Sequence, residues 1–342
     1  MRKALITFCF AAFIMAASGY KWGYIDQTGK CVITPQFEQV SLFRNDRALV
    51  KVGNKLGVID RSGNFVAKPQ FDFITKPHFD GQMPLFIQES FNEEMAVVSV
   101  NGKYGFINKT GNLVIEPQFD EAKFFNEELA AVKIDGKYGF IDKTGEFVIK
   151  PQFDYGFIFQ EGLALVEQNG KYGFIDKTGK FVIKPQFDDA HSFMEGLASV
   201  EINRKWGFID KTGNLVIEPQ FDNTYEFKEG LSTVVVNRKC GFIDKSGNYI
   251  VKPQFDEASM YYEGLSYVKQ NGKYGFIDKT GKFVIKPQFD DVYSFIEGLA
   301  SVKLNGKWGF IDKTGEFVIK PQFDYSYDFH EGMAAFAVNS EK

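Results

Sequence analysis

Three histidines are the first residues to test for chemistry, and their placement argues against it. His78, His191 and His330 stand at unrelated points of the chain, and His330 alone has an adjacent carboxylate, Glu331. Neither a second histidine nor a cysteine pair sits at metal-ligand spacing. Acids recur more regularly. Asp142, Asp176, Asp210 and their equivalents each open an Asp-Lys-Thr-Gly segment. A calcium loop would need another oxygen where the lysine stands, so these aspartates read as turn formers that bond their own backbone. Glu161, Glu195, Glu229, Glu263, Glu297 and Glu331 each precede a glycine, and also read as turn residues. A glycosidase pairs two carboxylates in unlike surroundings, whereas this array repeats one environment. No nucleophile elbow or phosphate-cradling loop is present. The expectation is a protein that is not an enzyme, without cofactor or metal.

The remaining recurrent polar group is an amide. A Pro-Gln-Phe triplet recurs from Gln36 to Gln322. A ring of amides around an axis would suit a ligand, but a glutamine at a strand end more simply satisfies open backbone groups.

These recurrences belong to one repeat. The glycine of an aromatic-Gly-aromatic-Ile-Asp segment falls at Gly23, Gly57, Gly105, Gly139, Gly173, Gly207, Gly241, Gly275 and Gly309. The spacing is 34 residues except between Gly57 and Gly105, where it is 48, so one unit carries a 14-residue insertion, within 73–90. Each unit predicts three strands, for instance Leu163 to Glu167, Lys171 to Asp176 and Phe181 to Lys184. Asn169-Gly170 joins the first two as a tight hairpin, because both turn positions need positive φ. Asp176 to Gly179 turns the chain into the third. Pro185 is then expected to end the ladder, having no N–H to give. Nine of the 11 prolines hold this position.

Phe181 and Ile183 should point to one face of the third strand and Val182 to the other. With both faces apolar, Val148, Val182 and their counterparts are expected to be covered by the neighbouring unit. The fold class that follows is all-β: nine three-stranded meanders stacked as a β-propeller-like ring, with an open spiral as the alternative. Complementary ends favour the ring. The chain after residue 18 opens on a second strand (Lys21 to Asp26) and ends on a first strand (Met333 to Val338), so the two can share one blade.

The aromatic-Gly-Phe-Ile-Asp-Lys-Thr-Gly segments resemble the bacterial WG, or KWG, repeat family. Lys21-Trp22-Gly23, Lys205-Trp206-Gly207 and Lys307-Trp308-Gly309 carry the resemblance, with the Lys-Pro-Gln-Phe-Asp and Phe-x-Glu-Gly-Leu-Ala segments downstream. Tyr104, Tyr138, Tyr172 and Tyr274 replace the tryptophan in four units, Leu56 and Cys240 in two others. The resemblance covers essentially the whole chain after residue 18. It implies a bacterial, often exported, β-repeat protein, and no particular reaction or ligand.

Residues 1–18 have the layout of a secretory signal peptide: Arg2 and Lys3, an apolar run from Ala4 to Met15, then Ala16-Ala17-Ser18. An exported protein, periplasmic, at the cell surface or extracellular, with one repeat domain over 19–342, is therefore expected. No other segment is apolar enough to span a bilayer. Removing Arg2 and Lys3 takes the formal charge from −4 to −6, a poor match for nucleic acid or an anionic membrane. Cys31 and Cys240 occupy positions that are apolar or aromatic in other units and read as buried thiols, not as a disulfide.

Because the units are so alike, the positions that vary are the ones folding does not need. Most variation follows the Phe-Asp of each unit, in what reads as a loop on one rim. Phe124, Tyr155, Phe157, His191, Tyr225, Tyr293, Tyr325 and Tyr327 are the candidate partner-binding residues, since aromatic side chains give rigid, amphipathic contact area. The expected function is an exported scaffold binding protein or glycan at the cell surface. The alternative is a structural envelope or matrix protein assembling through its repeats. The insertion at 73–90, containing Lys76-Pro77-His78-Phe79-Asp80, is the one asymmetric segment, either a binding loop or a decayed duplication.

Overall fold

The structure, a computed structural model, describes residues 19–72 and 91–340. The predicted leader, the insertion at 73–90 and His78 lie outside the described residues. Every regular element among the described residues is a strand.

The strands form nine small antiparallel sheets, or blades. Seven are separate four-stranded sheets, and two lie within a seven-stranded sheet joined by one pair, Asp72 with Ser99. Blade 5 serves as the pattern, with strand a Tyr155–Gln160, b Leu163–Gln168, c Lys171–Ile175 and d Phe181–Phe187. The predicted meander is b, c and d. The structure adds strand a, built from the varied residues after Phe-Asp. In most blades it is two residues long, as at Asp189–Ala190 or Glu257–Ala258, and a bridge such as Met194 with Leu197 continues its pairing with b. The first two of these residues are strand, and in blades 1 and 5 all of them are, whereas Phe124, His191, Tyr225 and Tyr293 follow the strand in irregular backbone.

Blade 1 contains both ends of the chain. Tyr20–Asp26 is its strand c and Cys31–Phe37 its strand d, while Tyr325–His330 and Met333–Asn339 supply a and b. All seven residues of Tyr20–Asp26 pair with Met333–Asn339, and Ser340 adds two hydrogen bonds to the Gly19 carbonyl. One core joins this blade to blade 2 through Trp22, Tyr24, Val40, Phe43 and Val50. Another joins it to blade 9 through Ile25, Phe310, Ile319 and Phe329. Each blade thus has a neighbour on both faces, and the array closes as a propeller-like ring.

What holds blade to blade is an aromatic pair repeated at every seam but that of blades 2 and 3, where Val58 stands in strand c and shares a core with Phe91. Phe159 of strand a meets Phe140 of the preceding blade's strand c at 5.0 Å, and Phe193 meets Phe174 at 4.8 Å. On either side of the blade that holds both chain ends the contact is kept, as Tyr24 with Phe43 at 4.7 Å and Phe310 with Phe329 at 4.9 Å. Burying each ring fully is worth about 2–3 kcal/mol.

Strand d is the outer strand. Blades diverge with radius, so the edge strand that meets water is the outer one, and d alternates exposed and buried residues. The expectation for Val148 and Val182 is overturned here: they are 48% and 44% exposed. Val182 lies on the same face of d as Lys184 and Gln186, which are also exposed, and the diverging blades leave that face of the outer strand uncovered. A bulge interrupts the ladder at the same place: between the pairs Phe174–Ile183 and Ile175–Phe181, Val182 is an extra residue of d. Stacking does not depend on these valines, because strands a, b and c provide the covered faces. Strand d also runs on through Pro185 to Phe187, since an edge strand has no partner on its outer side to require the missing N–H.

Cys240 is buried as expected, and burial pushes its thiol up to about 12. Cys31 is exposed on the outer strand of blade 1, contrary to the expectation, and both thiols are free.

Candidate functional site

Separating what is structural from what is available begins with the repeated polar residues. Asp176 Oδ1 accepts from the Thr178 N–H at 2.9 Å, the Thr178 hydroxyl at 2.6 Å and the Lys180 N–H at 3.1 Å. These hydrogen bonds, the Thr178 side chain first, hold the carboxyl below the usual range. The carboxylate is occupied as a turn former. Gln152 Nε2 donates to the Lys150 carbonyl at 3.2 Å, and Gln36, Gln220 and Gln322 do the same, so the amides serve the backbone.

The glutamates do more than turn the chain. Glu161 takes positive φ in the a–b hairpin, and its carboxylate accepts from the Gly196 N–H of the next blade at 3.0 Å. Lys211 of that next blade closes on the same Glu161, on its carbonyl at 2.9 Å and its carboxylate at 3.1 Å. The device crosses the chain ends unchanged in form. Glu331 accepts from Asn45 and Asp46 N–H at 2.7 and 2.9 Å, and Arg61 donates to its carbonyl at 2.6 Å. The opposite end of the ring has its own staple. Asp222 takes Lys205 of its own blade at 2.7 Å and the Asn237 N–H of the next at 2.7 Å.

Two seams depart from the pattern: between blades 9 and 1, Gln27 replaces the lysine and donates to Glu297 at 3.3 Å, and the seam of blades 2 and 3 departs further. Asn45 stands in blade 2 where other units have glutamate, and Lys109 turns instead to Glu94 of its own blade at 3.1 Å. Arg47 spans this seam by donating to the Lys109 carbonyl at 2.9 Å. Asn45 already has the positive φ that glutamate accepts elsewhere. Asn45→Glu should therefore stabilise the protein by roughly 0.2–1 kcal/mol, the range for an exposed ion pair. Thermal melts at low and high salt check this: the gain should shrink as salt rises.

The candidate residues, by contrast, differ between blades. They share one end of the ring, the end of the Asn-Gly hairpins, where most cover the aromatic residue of the repeat motif in their own blade. His191 stacks on Trp206 at 4.7 Å, Tyr293 on Trp308 at 5.3 Å and Tyr327 on Trp22 at 4.7 Å. Tyr325 meets Tyr20 edge-on at 5.0 Å. Tyr155 and Phe157 lie parallel at 6.4 Å, with Lys123 near both ring faces. Phe124 and Tyr225 are half-buried, and burial pushes the Tyr225 hydroxyl up to about 12. Tyr327, at 7% exposure, is a core residue and unsuited to direct contact.

A signal missed in the sequence lies on strand b, directly opposite the first residue of strand a. In blades 4 and 8 this position is a lysine paired to an acid, Lys133 with Glu121 at 3.1 Å and Lys269 with Glu257 at 2.8 Å. In blades 5 and 6 it is Glu167, opposite Tyr155, and Glu201, opposite Asp189. Burial first, then Asp189 and Asp188, raises the Glu201 carboxyl above its ordinary value. The Tyr172 hydroxyl is pushed up to about 12 by burial, then by Asp189 and Glu167. Tyr155, Phe157, Tyr172, His191 and Trp206 thus share one sector of the face with Glu167, Asp189 and Glu201. Among the described residues no helix is long and apolar enough to cross a membrane.

No curated protein matches the chain. Among solved structures, a eukaryotic initiation factor superposes with a TM-score of 0.60 at 10% identity, over 94% of this chain and 98% of that one. The Dos1 propeller gives a TM-score of 0.43 at 11% identity, over 93% and 95%. The dihydro-heme d1 dehydrogenase NirN gives 0.48 at 12%, over 93% and 80%. The first of these likenesses is one of fold. Sequence similarity is more specific: the WG-containing repeat matches nine times, from residues 22–55 and 57–81 through 104–138 and onward to 308–341. With the motif glycines, the hairpins and the blade staples all falling in that period, the chain belongs to the WG-repeat family.

Proposed function

We propose that this protein is an exported, non-catalytic scaffold that binds a protein or glycan through the hairpin-end face of its ring. The observation that carries this reading is the contrast between constant staples and a varied face. Residues that hold blade to blade repeat almost without change, whereas strand a and its partner position on strand b differ in charge and ring character from blade to blade. The sector of blades 5 and 6 is the strongest candidate, because half-buried rings beside carboxylates offer stacking area together with hydrogen-bond acceptors.

The test is a glycan array and a solid-phase binding assay against biotinylated cell-surface proteins, comparing wild type with Tyr155→Ser, Glu167→Gln, Glu201→Gln. Binding should fall at least tenfold in the triple variant while the melting temperature stays within a few degrees. Binding unchanged by the triple variant would overturn the choice of face.

A second reading, lateral assembly, is favoured by the exposed valines of strand d. Val114, Val148, Val182, Val216, Val284 and Val318 repeat around the outer circumference. Concentration-dependent sedimentation abolished by Val148→Lys and Val182→Lys would support it. The bulge and the proline on each outer strand oppose edge-to-edge pairing, so binding is the leading reading.

A further inference from the structure

One position of strand b stands between the first residue of strand a and the motif aromatic of strand c. In blade 9 the three residues are Asp291, Lys303 and Trp308, set opposite one another by the strand pairing. Side chains directly opposite in antiparallel strands share a face, with Cβ atoms about 5 Å apart. Where this position is lysine, it uses both neighbours. Lys133 Nζ is 3.1 Å from the Glu121 carboxylate and 5.4 Å from the Tyr138 ring centroid. Lys269 Nζ is 2.8 Å from the Glu257 carboxylate and 4.9 Å from the Tyr274 centroid. Lys303 Nζ lies 5.9 Å from the Trp308 centroid. A carboxylate beside a ring face makes a seat for an ammonium. The fold builds this seat repeatedly and fills it from within.

Blade 6 keeps the seat and lacks the occupant. Asp189, Glu201 and Trp206 hold the three positions in the register of blade 9, with Glu201 where Lys303 stands. Each indole also carries a second ring, His191 on Trp206 at 4.7 Å and Tyr293 on Trp308 at 5.3 Å. Lys303 reaches Trp308 with Tyr293 already in place, so His191 does not bar an ammonium from Trp206. The neighbouring lysines are committed elsewhere, Lys171 to Asp188 and Lys205 to Asp222. Arg204 stands at the exposed hairpin tip, and among the described residues no ion pair joins it to Glu201. It only opposes the rise that burial, Asp189 and Asp188 impose on the Glu201 carboxyl. Blade 5 offers less, because Glu167 lies between Tyr155 and Tyr172 without a second acid.

We propose that Asp189, Glu201 and Trp206 form a receptor for a lysine side chain of a partner protein, whose ammonium takes the place that Lys303 holds in blade 9. This rests on the reading of the hairpin-end face as the binding face, and names what that face recognises. The resident occupants favour lysine over an amino sugar, because Lys133, Lys269 and Lys303 all reach their rings on a flexible alkyl stem. A formal charge of −4 also favours approach of a basic partner.

The probe is a short capped peptide of glycines around one lysine, titrated into protein with isotope-labelled tryptophan and followed by NMR. The Trp206 indole N–H signal should shift saturably, while those of Trp22 and Trp308 stay in place. The same peptide acetylated on its lysine Nζ should move none of them. Glu201→Lys fills the seat from within, and should weaken binding by at least about tenfold, the worth of a hydrogen bond to a charged group. Lys303→Glu should open a second seat, so that the Trp308 signal now responds. Each variant installs a residue that a sister blade already carries in that register, and should melt within a few degrees of wild type.

No saturable shift at Trp206, an equal response to the acetylated peptide, or full binding by Glu201→Lys would overturn the proposal. So would binding of a glucosamine oligomer by wild-type protein that ignores the peptide. If the variant Tyr155→Ser, Glu167→Gln, Glu201→Gln loses a captured partner while the peptide fails to bind wild type, the hairpin-end face stands and its lysine seat alone falls.

Discussion

Gly139→Ala should destabilise the protein by about 3 kcal/mol, a large effect for one methyl group. The reason is a crossing of backbones. A Cβ at Gly139 would lie 2.6 Å from the Ile149 carbonyl oxygen and 2.7 Å from the Pro151 nitrogen. The strand pairing shows why these atoms come so close. Tyr138 pairs with Phe153 and Phe140 with Ile149, so Lys150, Pro151 and Gln152 pass over the single residue Gly139. No flexible side chain can yield there, and one of two main chains must move. The same approach recurs at Gly173, Gly207, Gly241, Gly275 and Gly309, at 2.5–2.6 Å from a backbone carbonyl. Gly170→Ala is the matched control. Its φ is +74° and nothing lies within 4 Å of the added carbon, so only the backbone term of about 1 kcal/mol applies. Denaturant melts of the two variants check the ordering. Equal losses would mean that the motif glycine serves conformation and not close approach.

The second large effect concerns the chain ends. Deleting residues 333–342 removes strand b of blade 1, among the described residues the only strand that pairs with Tyr325–His330, and one of the two partners of Tyr20–Asp26. Two pieces of the blade are released at once, and Trp22, Tyr24 and Phe329 lose their cover. In a closed ring both neighbouring blades then present an apolar face to water. The truncated protein should lose its single sharp melting transition and unfold over a broad range. An open stack would only fray at one end, and hydrogen exchange distinguishes the two: protection should fall in blades 2 and 9 together.

Much of this was legible in the sequence because the repeat exposes turn chemistry. Asn169-Gly170 and Asp176 to Gly179 form the expected turns, and the complementary strands at Lys21 and Met333 meet in one blade. The amides of Gln36 and Gln152 serve the backbone as expected. What was not legible depends on long-range geometry. Strand a carries no alternating pattern, because its residues face the axis, a neighbouring blade and its own blade's motif ring in turn, so it read as a loop. Val182 alternates as a regular strand residue should, but whether a neighbouring blade covers its face depends on how far the blades diverge at the outer strand. Glu161 and Lys211 lie 50 residues apart, and nothing local reports their contact. The face proposed to bind was half visible: Tyr155 and His191 stood out by varying, whereas Glu167 and Glu201 mattered only once the pairing register set them opposite strand a.

Closure of the ring is the claim on which the hairpin-end face depends. A double variant, Lys21→Cys with Val338→Cys in a Cys31→Ser background, tests it most directly, because these two positions are opposed in the pairing of the chain ends. Mild oxidation should crosslink the monomer within itself and raise its melting temperature. Failure to crosslink, or crosslinks formed only between molecules, would contradict a closed ring.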